Sequence, residues 1–587
     1  MGHLPLSLLS PLPPNISVWY WAVAVAAAFI TALVRLFVRR WPESSNWAIA
    51  CFRRSARRIS LSVLVIAILP VTLRLVVLGW IPPPVPAVHD EFGHLLVAGT
   101  LAAGRLANPA HPLWRHLETI YVLHQPTYAS IYPIGPGALM AAGELLAGNA
   151  WAGVLLSVAL MSGATAWMLF ACLPPTWALL GGLLAALGYG LSPHWIDSYW
   201  GGSLCAFGGA LLFGSLYRLG ARPSRTLAGI AGLGWSIVWF TRPFESLFLL
   251  LLTGTAITFL VVRFRGPRKK WVDAILVILA IQVCAGCITM LHNHAVTRSF
   301  FTLPYKLSQT VYGVPQSLLW QQPIEEPPGL RFHELREMYS WQRQAKEEAS
   351  AHPLRRLSEV FSAAWSFYIT PWYSLPLILL VVHLREQSVA IGVATVIAAL
   401  TASAAYPYFF PHYVAAYACV VVFLIVRGMM TLGRWSCRGV NLGSLILLFL
   451  VAGGLMMGLT AIPLEAIVGL SYDSHEGNKR VRVAGRLLQS GDRHVVFVSY
   501  SPDHSPQDEW VYNAADIDAA PIVWCRAMDE TADLEVIRYY KGRQFWIARV
   551  GNDAVKVSPY PFDGSAATAS HARDFVITRS FAEERRE

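Results

Sequence analysis

The sequence predicts a polytopic α-helical membrane protein carrying a small C-terminal α/β domain. Hydrophobic residues make up 55% of the chain and charged residues 14%, with a mean hydropathy of +0.46. An ordinary soluble domain carries about 25% charged residues. Apolar runs near the roughly 20 residues needed to span a bilayer recur along the chain. Much of the Lys and Arg behind the formal charge of +11 sits in short clusters between those runs, where it orients spans. The charge therefore does not point to a nucleic-acid partner.

The first span is expected at about 17–38. Arg35, Arg39, Arg40, Arg53, Arg54, Arg57 and Arg58 follow or flank it, and no Lys or Arg precedes it. Positive residues favour the cytoplasmic side, so 39–58 is expected inside and the N-terminus outside. The stretch lacks a basic leader and a clean small-residue cleavage site, so it reads as a span and not a cleaved signal. A second span at about 59–81 then delivers Asp90 and Glu91 to the outside. Arg74, inside that span, should face protein or snorkel. Further spans are expected at about 150–172, 174–192, 203–220, 226–241, 243–262, 272–291, 361–383, 388–406, 412–430 and 441–463, about twelve in all. Basic connectors at Arg218, Arg222 and Arg225, at Arg263, Arg265, Arg268, Lys269 and Lys270, at Arg385, and at Arg427, Arg434 and Arg438 keep the alternation consistent. The stretch 134–147 is too short to span and reads as a surface helix.

Three regions follow: 1–58, an N-terminal span and basic loop; 59–463, the transmembrane domain with outer loops 82–149 and 292–360; and 464–587, an outer domain. In the tail, strands are expected at 495–500, 521–524 and 545–548, and helices at 478–489 and 532–540, an alternation typical of a small α/β domain. Its Asp508, Glu509, Trp510 and Tyr512 can contact a ligand or serve the domain's own packing. Cys284 and Cys287 have redox-motif spacing inside an apolar run, where packing is the simpler reading. Cys525 stands alone in the tail, so no disulfide framework is implied.

With these spans, polar and aromatic clusters fall mostly on the outer side. Asp90 and Glu91 lie just past a span, after a proline-rich run. As helix punctuation, Asp90 would be the N-cap, Glu91 would favour the positive helix end, and Gly104 would end the helix. Asp90 and His94 are spaced i,i+4, so both can address one ligand, and a divalent cation there stays open. Asp197 and Tyr199 lie in the second outer loop. Arg242 and Glu245 are a local ion pair at a span end, or Arg242 holds a phosphate with its planar fork. His292 and His294, with Arg298 and Lys306, follow a later span. The aromatic run 406–413, with His412 and Tyr413, is an interfacial belt or a platform for sugar rings.

The stretch from Asp90-Glu91 through Ala98, Leu101 and Gly104 to Asn108-Pro109, and the later Tyr132-Pro133, resemble the first outer loop of membrane glycosyltransferases with the GT-C fold. The protein O-mannosyltransferases and the aminoarabinose transferases of lipid A are the nearest in style, and the match is closer still to bacterial relatives whose substrate is unassigned. The resemblance covers roughly 59–430. The chain departs from the pattern in its N-terminal span, in Ile134-Gly135 and in its α/β tail, which leaves sugar and acceptor open. The resemblance implies a plasma (inner) membrane enzyme that takes sugar from a polyprenyl-phosphate donor at the outer face, with inversion, to a glycan, lipid or protein acceptor. Asp90 would be the general base or orient the acceptor hydroxyl, and Glu91 would tune it or bind a cation. Arg242 and Arg298, with Lys306 and His412 behind them, would stabilise the leaving phosphate. His94, Tyr132, Asp197, Tyr199, Glu245 and Tyr413 complete the expected substrate contacts, and the polyprenyl chain would lie in a groove between spans. A transporter or flippase of a lipid-linked saccharide is the alternative. Transporters usually place polar sites at the midplane, between internal repeats, and no repeat is evident here.

Overall fold

The computed structural model describes residues 14–264, 266–436, 441–468, 476–502, 504–561 and 574–578. Arg265 and Arg438, two of the basic connectors, lie outside the described residues.

Every expected span contains a helix. Among the described residues nine helices are long and apolar enough to cross a membrane. Helices occupy the three other expected spans as well, at Pro175–Gly188, Arg225–Thr241 and Gln387–Ser403, but with 14, 17 and 17 residues they fall short. At 1.5 Å per residue they cover roughly 21–26 Å of a core about 30 Å thick. Two of them end in irregular backbone, at 189–192 and 404–410, which contributes to the site described below. Such backbone is tolerated at membrane depth where it is buried in protein.

The chain opens with four helices. They are α1 (Pro14–Arg40), α2 (Pro42–Arg57), α3 (Ile59–Val76) and α4 (His89–Ala102). The helical segment Pro411–Leu432 is central, with 89% of its apolar window buried against 11% for α1 at the rim. Close packing in the centre needs glycine: a Cβ on Gly209 would stand 1.9 Å from the Ala416 carbonyl oxygen. The helix Lys269–Thr297 carries Cys284 and Cys287 on its exposed side, so they do not pack inside the bundle as expected.

Helix α4 corrects the capping expectation. Its N-cap is Val88, and Asp90 is the second residue inside the helix. The capping role falls to Glu91, whose Oε2 accepts from the backbone N–H of Ala87 at 2.9 Å. Gly104, at φ +71, does end the helix.

The C-terminal domain is a five-stranded sheet in the order Ile522–Arg526, His494–Tyr500, Gln544–Val550, Ala554–Pro559, Phe575–Thr578. The first two pairings are parallel and the last two antiparallel. Helices Glu476–Leu488 and Glu530–Tyr539 complete the α/β character. Trp510 is fully buried and donates to Asp508 at 3.1 Å, and Glu509 pairs with Arg526, so these residues serve packing. The domain docks on the loop 82–149, which forms a small sheet of its own from Asn108–Pro109, Thr127–Ser130 and Val122–Leu123. Tyr512 stacks on Phe92 with ring centroids 4.4 Å apart, and the Arg480 guanidinium covers the same ring at 4.9 Å. Arg526 donates to the Glu118 carbonyl at 2.6 Å and pairs with Glu334 at 2.8 Å, tying both large loops to the domain.

Candidate active site

The chain reaches α4 through an extended proline-rich run held from below by Arg74. This arginine is fully buried, and its Nε meets both Asp197 oxygens at 2.8 and 2.9 Å. Its other nitrogens donate to the carbonyls of Ile81 and Pro82, and its plane lies 4.8 Å from the Trp151 ring centre. Arg74, in the last turn of α3, thus faces protein, as a buried charge must. Asp197 is engaged by Arg74 and does not stand open to a substrate. Glu91 is also inward, 1% exposed, and its Oε1 accepts from the Tyr199 N–H at 2.9 Å. The Tyr199 hydroxyl donates to the Pro84 carbonyl at 3.0 Å. Glu91, Asp197 and Tyr199 therefore splice the proline-rich run to loop 193–201.

Asp90 faces the other way. Its side chain is 27% exposed, and its Oδ1 accepts from the Tyr132 hydroxyl at 2.5 Å and lies 3.1 Å from His89 Nε2. Among the described residues its Oδ2 makes no hydrogen bond, which leaves that oxygen for a ligand hydroxyl. Burial pushes the carboxyl up, but the charge and hydrogen bond of His89 and the bond from Tyr132 outweigh it and hold it at about 2. One turn on, the His94 ring meets Tyr132 at 4.5 Å, tilted by 37°, and its Nδ1 is buried without a partner among the described residues. Burial, helped by Arg242 and opposed by Asp90, drives its pKa down to about 3, so the ring is neutral. Between them Gly93 leaves room for the Tyr132 ring, since a Cβ there would stand 2.6 Å from it.

Tyr132 meets Tyr121 and Tyr305 edge-on at 5.9 and 6.0 Å. Beyond Tyr305 stands Arg242, at the joint between Arg225–Thr241 and Pro243–Arg263, with its guanidinium 4.4 Å above the Tyr413 ring. Arg242 makes no ion pair among the described residues, and Glu245 stands within its electrostatic range without bridging to it. Of the two alternatives for Arg242, the direct ion pair with Glu245 does not form among the described residues, though Glu245 is the charge that acts on it most. Tyr305 and Tyr413 lie within electrostatic range of both Arg242 and Asp90, so tyrosines stand near both acid and cation.

A second group adjoins it. His412 Nδ1 lies 3.1 Å from His194 Nε2, and Trp200 packs against both rings at 5.2 and 4.4 Å. Among the described residues His412 Nε2 and the indole N–H groups of Trp195 and Trp200 are buried without partners. Indole N–H groups are donors only, so this wall suits an acceptor-rich ligand.

Arg298 and Lys306 do not join. Arg298 caps Lys269–Thr297 at φ +64 with its side chain exposed, and Lys306 is exposed beside Gln309. In Pro304–Tyr312 the inward face carries Tyr305, Ser308 and Tyr312, and Lys306 lies one residue off that face. His294 stacks on Phe300 at 4.4 Å, away from the cluster. Sequence reasoning left Tyr121, Tyr305, His194, Trp195 and Trp200 without a role. Only Tyr305 and Trp200 carried a signal, as neighbours of residues already singled out. Among the described residues no three His, Cys, Asp or Glu side chains gather as a metal set, so Asp90 and His94 remain a pair.

No family model and no curated protein matches this chain. Solved structures do. ArnT from Cupriavidus metallidurans in the apo state is 13% identical with a TM-score of 0.44, over 82% of this chain and 92% of that one. The same protein bound to undecaprenyl phosphate is 12% identical with a TM-score of 0.43, over 86% and 93%. The archaeal oligosaccharyltransferase AglB from Archaeoglobus fulgidus, in complex with an inhibitory peptide and a dolichol-phosphate, is 10% identical with a TM-score of 0.44, over 84% and 69%. The chain is similar to these GT-C-fold membrane glycosyltransferases.

Proposed function

We propose that this chain is an integral membrane glycosyltransferase that moves a sugar from a polyprenyl-phosphate donor to an acceptor hydroxyl at the extracytoplasmic face. The observation that carries this reading is the combination of a carboxylate with a free oxygen, Asp90, and an arginine that forms no ion pair among the described residues, Arg242, with Tyr305 and Tyr413 within electrostatic range of both. Such a pair suits a displacement in which an alcohol attacks and a phosphate leaves.

The acceptor hydroxyl would donate its hydrogen bond to Asp90 Oδ2. Its oxygen attacks the anomeric carbon as the bond from that carbon to the phosphate oxygen breaks, with inversion. A carboxylate held at about 2 is a weak base. Asp90 therefore orients the hydroxyl at first, and takes its proton only as the new bond makes that oxygen acidic. The departing polyprenyl phosphate is already an anion and needs cationic stabilisation, which Arg242 supplies. His412 Nε2 and the Trp195 and Trp200 indoles offer further donors to phosphate or sugar oxygens. Glu91, Asp197 and Tyr199 act through backbone, holding α4 and the loop that presents Trp200.

An apolar cavity of about 150 Å³ supports a lipid-linked donor. It is lined by Trp19, Tyr189, Phe367, Tyr368, Val422 and Met457, among others. Its upper wall touches the polar group, because Trp195 packs on Tyr189, Phe367 and Tyr368. A prenyl chain there would place its phosphate below Arg242.

The test is release of polyprenyl phosphate from a panel of polyprenyl-phosphate hexoses and pentoses by purified, reconstituted protein, with membrane extract as acceptor source. Release by wild type and its loss in Asp90→Asn supports the reading. No release with any donor, together with movement of the lipid-linked sugar across the vesicle membrane, would make the protein a transporter.

A further inference from the structure

Helix α2 takes no part in the site and gives the core only Ser45 and Ala56. It lies between two membrane-crossing helices, joined to α1 by Trp41 and to α3 by Arg58. Helix α3 separates it from the Arg74–Asp197 pair, so α2 sits at the end of the bundle remote from Asp90. It turns the buried Ser45 and Ala56 toward the protein. At about 100° per residue, Arg53, Arg54 and Arg57 share one sector roughly 100° wide, and the buried Ser45 and Ala56 lie outside it.

The arginines of 35–58 are Arg35, Arg39, Arg40, Arg53, Arg54, Arg57 and Arg58, and the one carboxylate among them is Glu43. All seven are exposed, and none is in an ion pair among the described residues. Trp41 and Trp47 are also exposed, at 54% and 71%. Indole rings favour the headgroup level of a bilayer, so the helix carries the marks of an interfacial element.

We propose that α2 and the adjoining end of α1 form a binding surface for anionic phospholipid headgroups. Guanidinium forks match phosphate oxygens. Because α2 begins and ends one residue from a membrane-crossing helix, its arginines stand within a Debye length, about 8 Å, of the headgroups. A soluble acidic protein would have to compete with that surface, so the lipid is the favoured occupant.

The test is native mass spectrometry of the full-length protein from mixed micelles holding equal phosphatidylglycerol and phosphatidylcholine. Wild type should retain phosphatidylglycerol several-fold over phosphatidylcholine, with the preference falling as salt rises. The quadruple variant Arg53→Gln, Arg54→Gln, Arg57→Gln, Arg58→Gln should bring the ratio near one. The control Lys269→Gln, Lys270→Gln, on another basic connector, should keep most of the preference. Thermal midpoints of both variants establish that they are folded. A folded quadruple variant with wild-type lipid preference, or a control that loses as much, overturns the proposal.

Discussion

The Tyr132 hydroxyl donates to Asp90 Oδ1 at 2.5 Å across 42 residues of sequence. That bond aims the carboxylate so that its other oxygen is left for a ligand, and it helps keep the group ionised. Tyr132→Phe should leave the fold almost unchanged, since the ring still packs between His94, Tyr121 and Tyr305. Sugar transfer should fall by roughly 10-fold, the cost of about one net hydrogen bond in the transition state. Gly93→Ala should do more harm by a different route, because its Cβ would displace the Tyr132 ring. Equal activity in wild type and a folded Tyr132→Phe protein would free Asp90 from this partner.

The pH dependence follows from two depressed values. Asp90, held at about 2, contributes stability above its unfolded pKa of about 3.9 that is lost as pH falls toward 2. His94, held at about 3, behaves in the opposite sense, because a buried neutral imidazole disfavours the folded state wherever the unfolded chain would be protonated. Stability should therefore decline as pH falls below about 6.5, the ordinary histidine value, and be level above it. Thermal midpoints measured from pH 8 to pH 4.5 check this, and His94→Gln should flatten part of the slope. Neither group titrates between pH 7 and 8, so the transfer rate should be level there. A limb in that interval that disappears with Asp90→Asn would contradict the depressed carboxylate.

Much of this site could be read along the chain because it is local. Asp90 and His94 share a helix face by spacing alone, and Gly104 marks the helix end whatever the tertiary context. Arg242 was legible because a span end fixes its depth. What could not be read was orientation around a helix axis beside an unknown neighbour. Glu91 and Asp90 are adjacent, yet one turns into the backbone of Ala87 and Tyr199 and the other toward Tyr132. Asp197 looked open because Arg74, its partner, lies 123 residues away. In 304–312 the choice between Lys306 and Tyr305 depends on which face meets Tyr132. The short helices Pro175–Gly188 and Gln387–Ser403 were read as full spans because their flanking loops are as apolar as lipid-facing helix.

The orientation inferred from the basic connectors can be tested with the structure as a guide. Cys525 is fully buried, so labelling must use a new thiol in the tail. In a cysteine-free background, Lys541→Cys, exposed after the helix Glu530–Tyr539, should react with an impermeant maleimide in intact cells. Arg54→Cys, on the exposed face of α2, should react only after the membrane is opened. The reverse pattern would move Asp90 to the cytoplasmic side and remove the case for a donor used outside.

Arg242 gives the sharpest test of the phosphate reading. Its guanidinium rests on Tyr413 and forms no ion pair among the described residues, although Glu245 lies within its electrostatic range. Arg242→Ala should cost the cation–π contact, about 1 kcal/mol, together with the loss of the positive charge near Glu245. Transfer should fall by on the order of 10²–10³-fold, the range for removing one preorganised donor from a developing anion. Arg242→Lys should restore charge but neither the planar stacking on Tyr413 nor the two-point grip on phosphate, and should recover only part of the rate. The loss should appear in kcat as well as KM, because a group that meets the leaving phosphate gains its full effect as the bond breaks. If Arg242→Ala raises KM alone, the arginine holds the ground-state donor and another cation meets the departing phosphate. If both constants are unchanged in folded protein, the pairing of Arg242 with Asp90 across Tyr305 has no part in the chemistry.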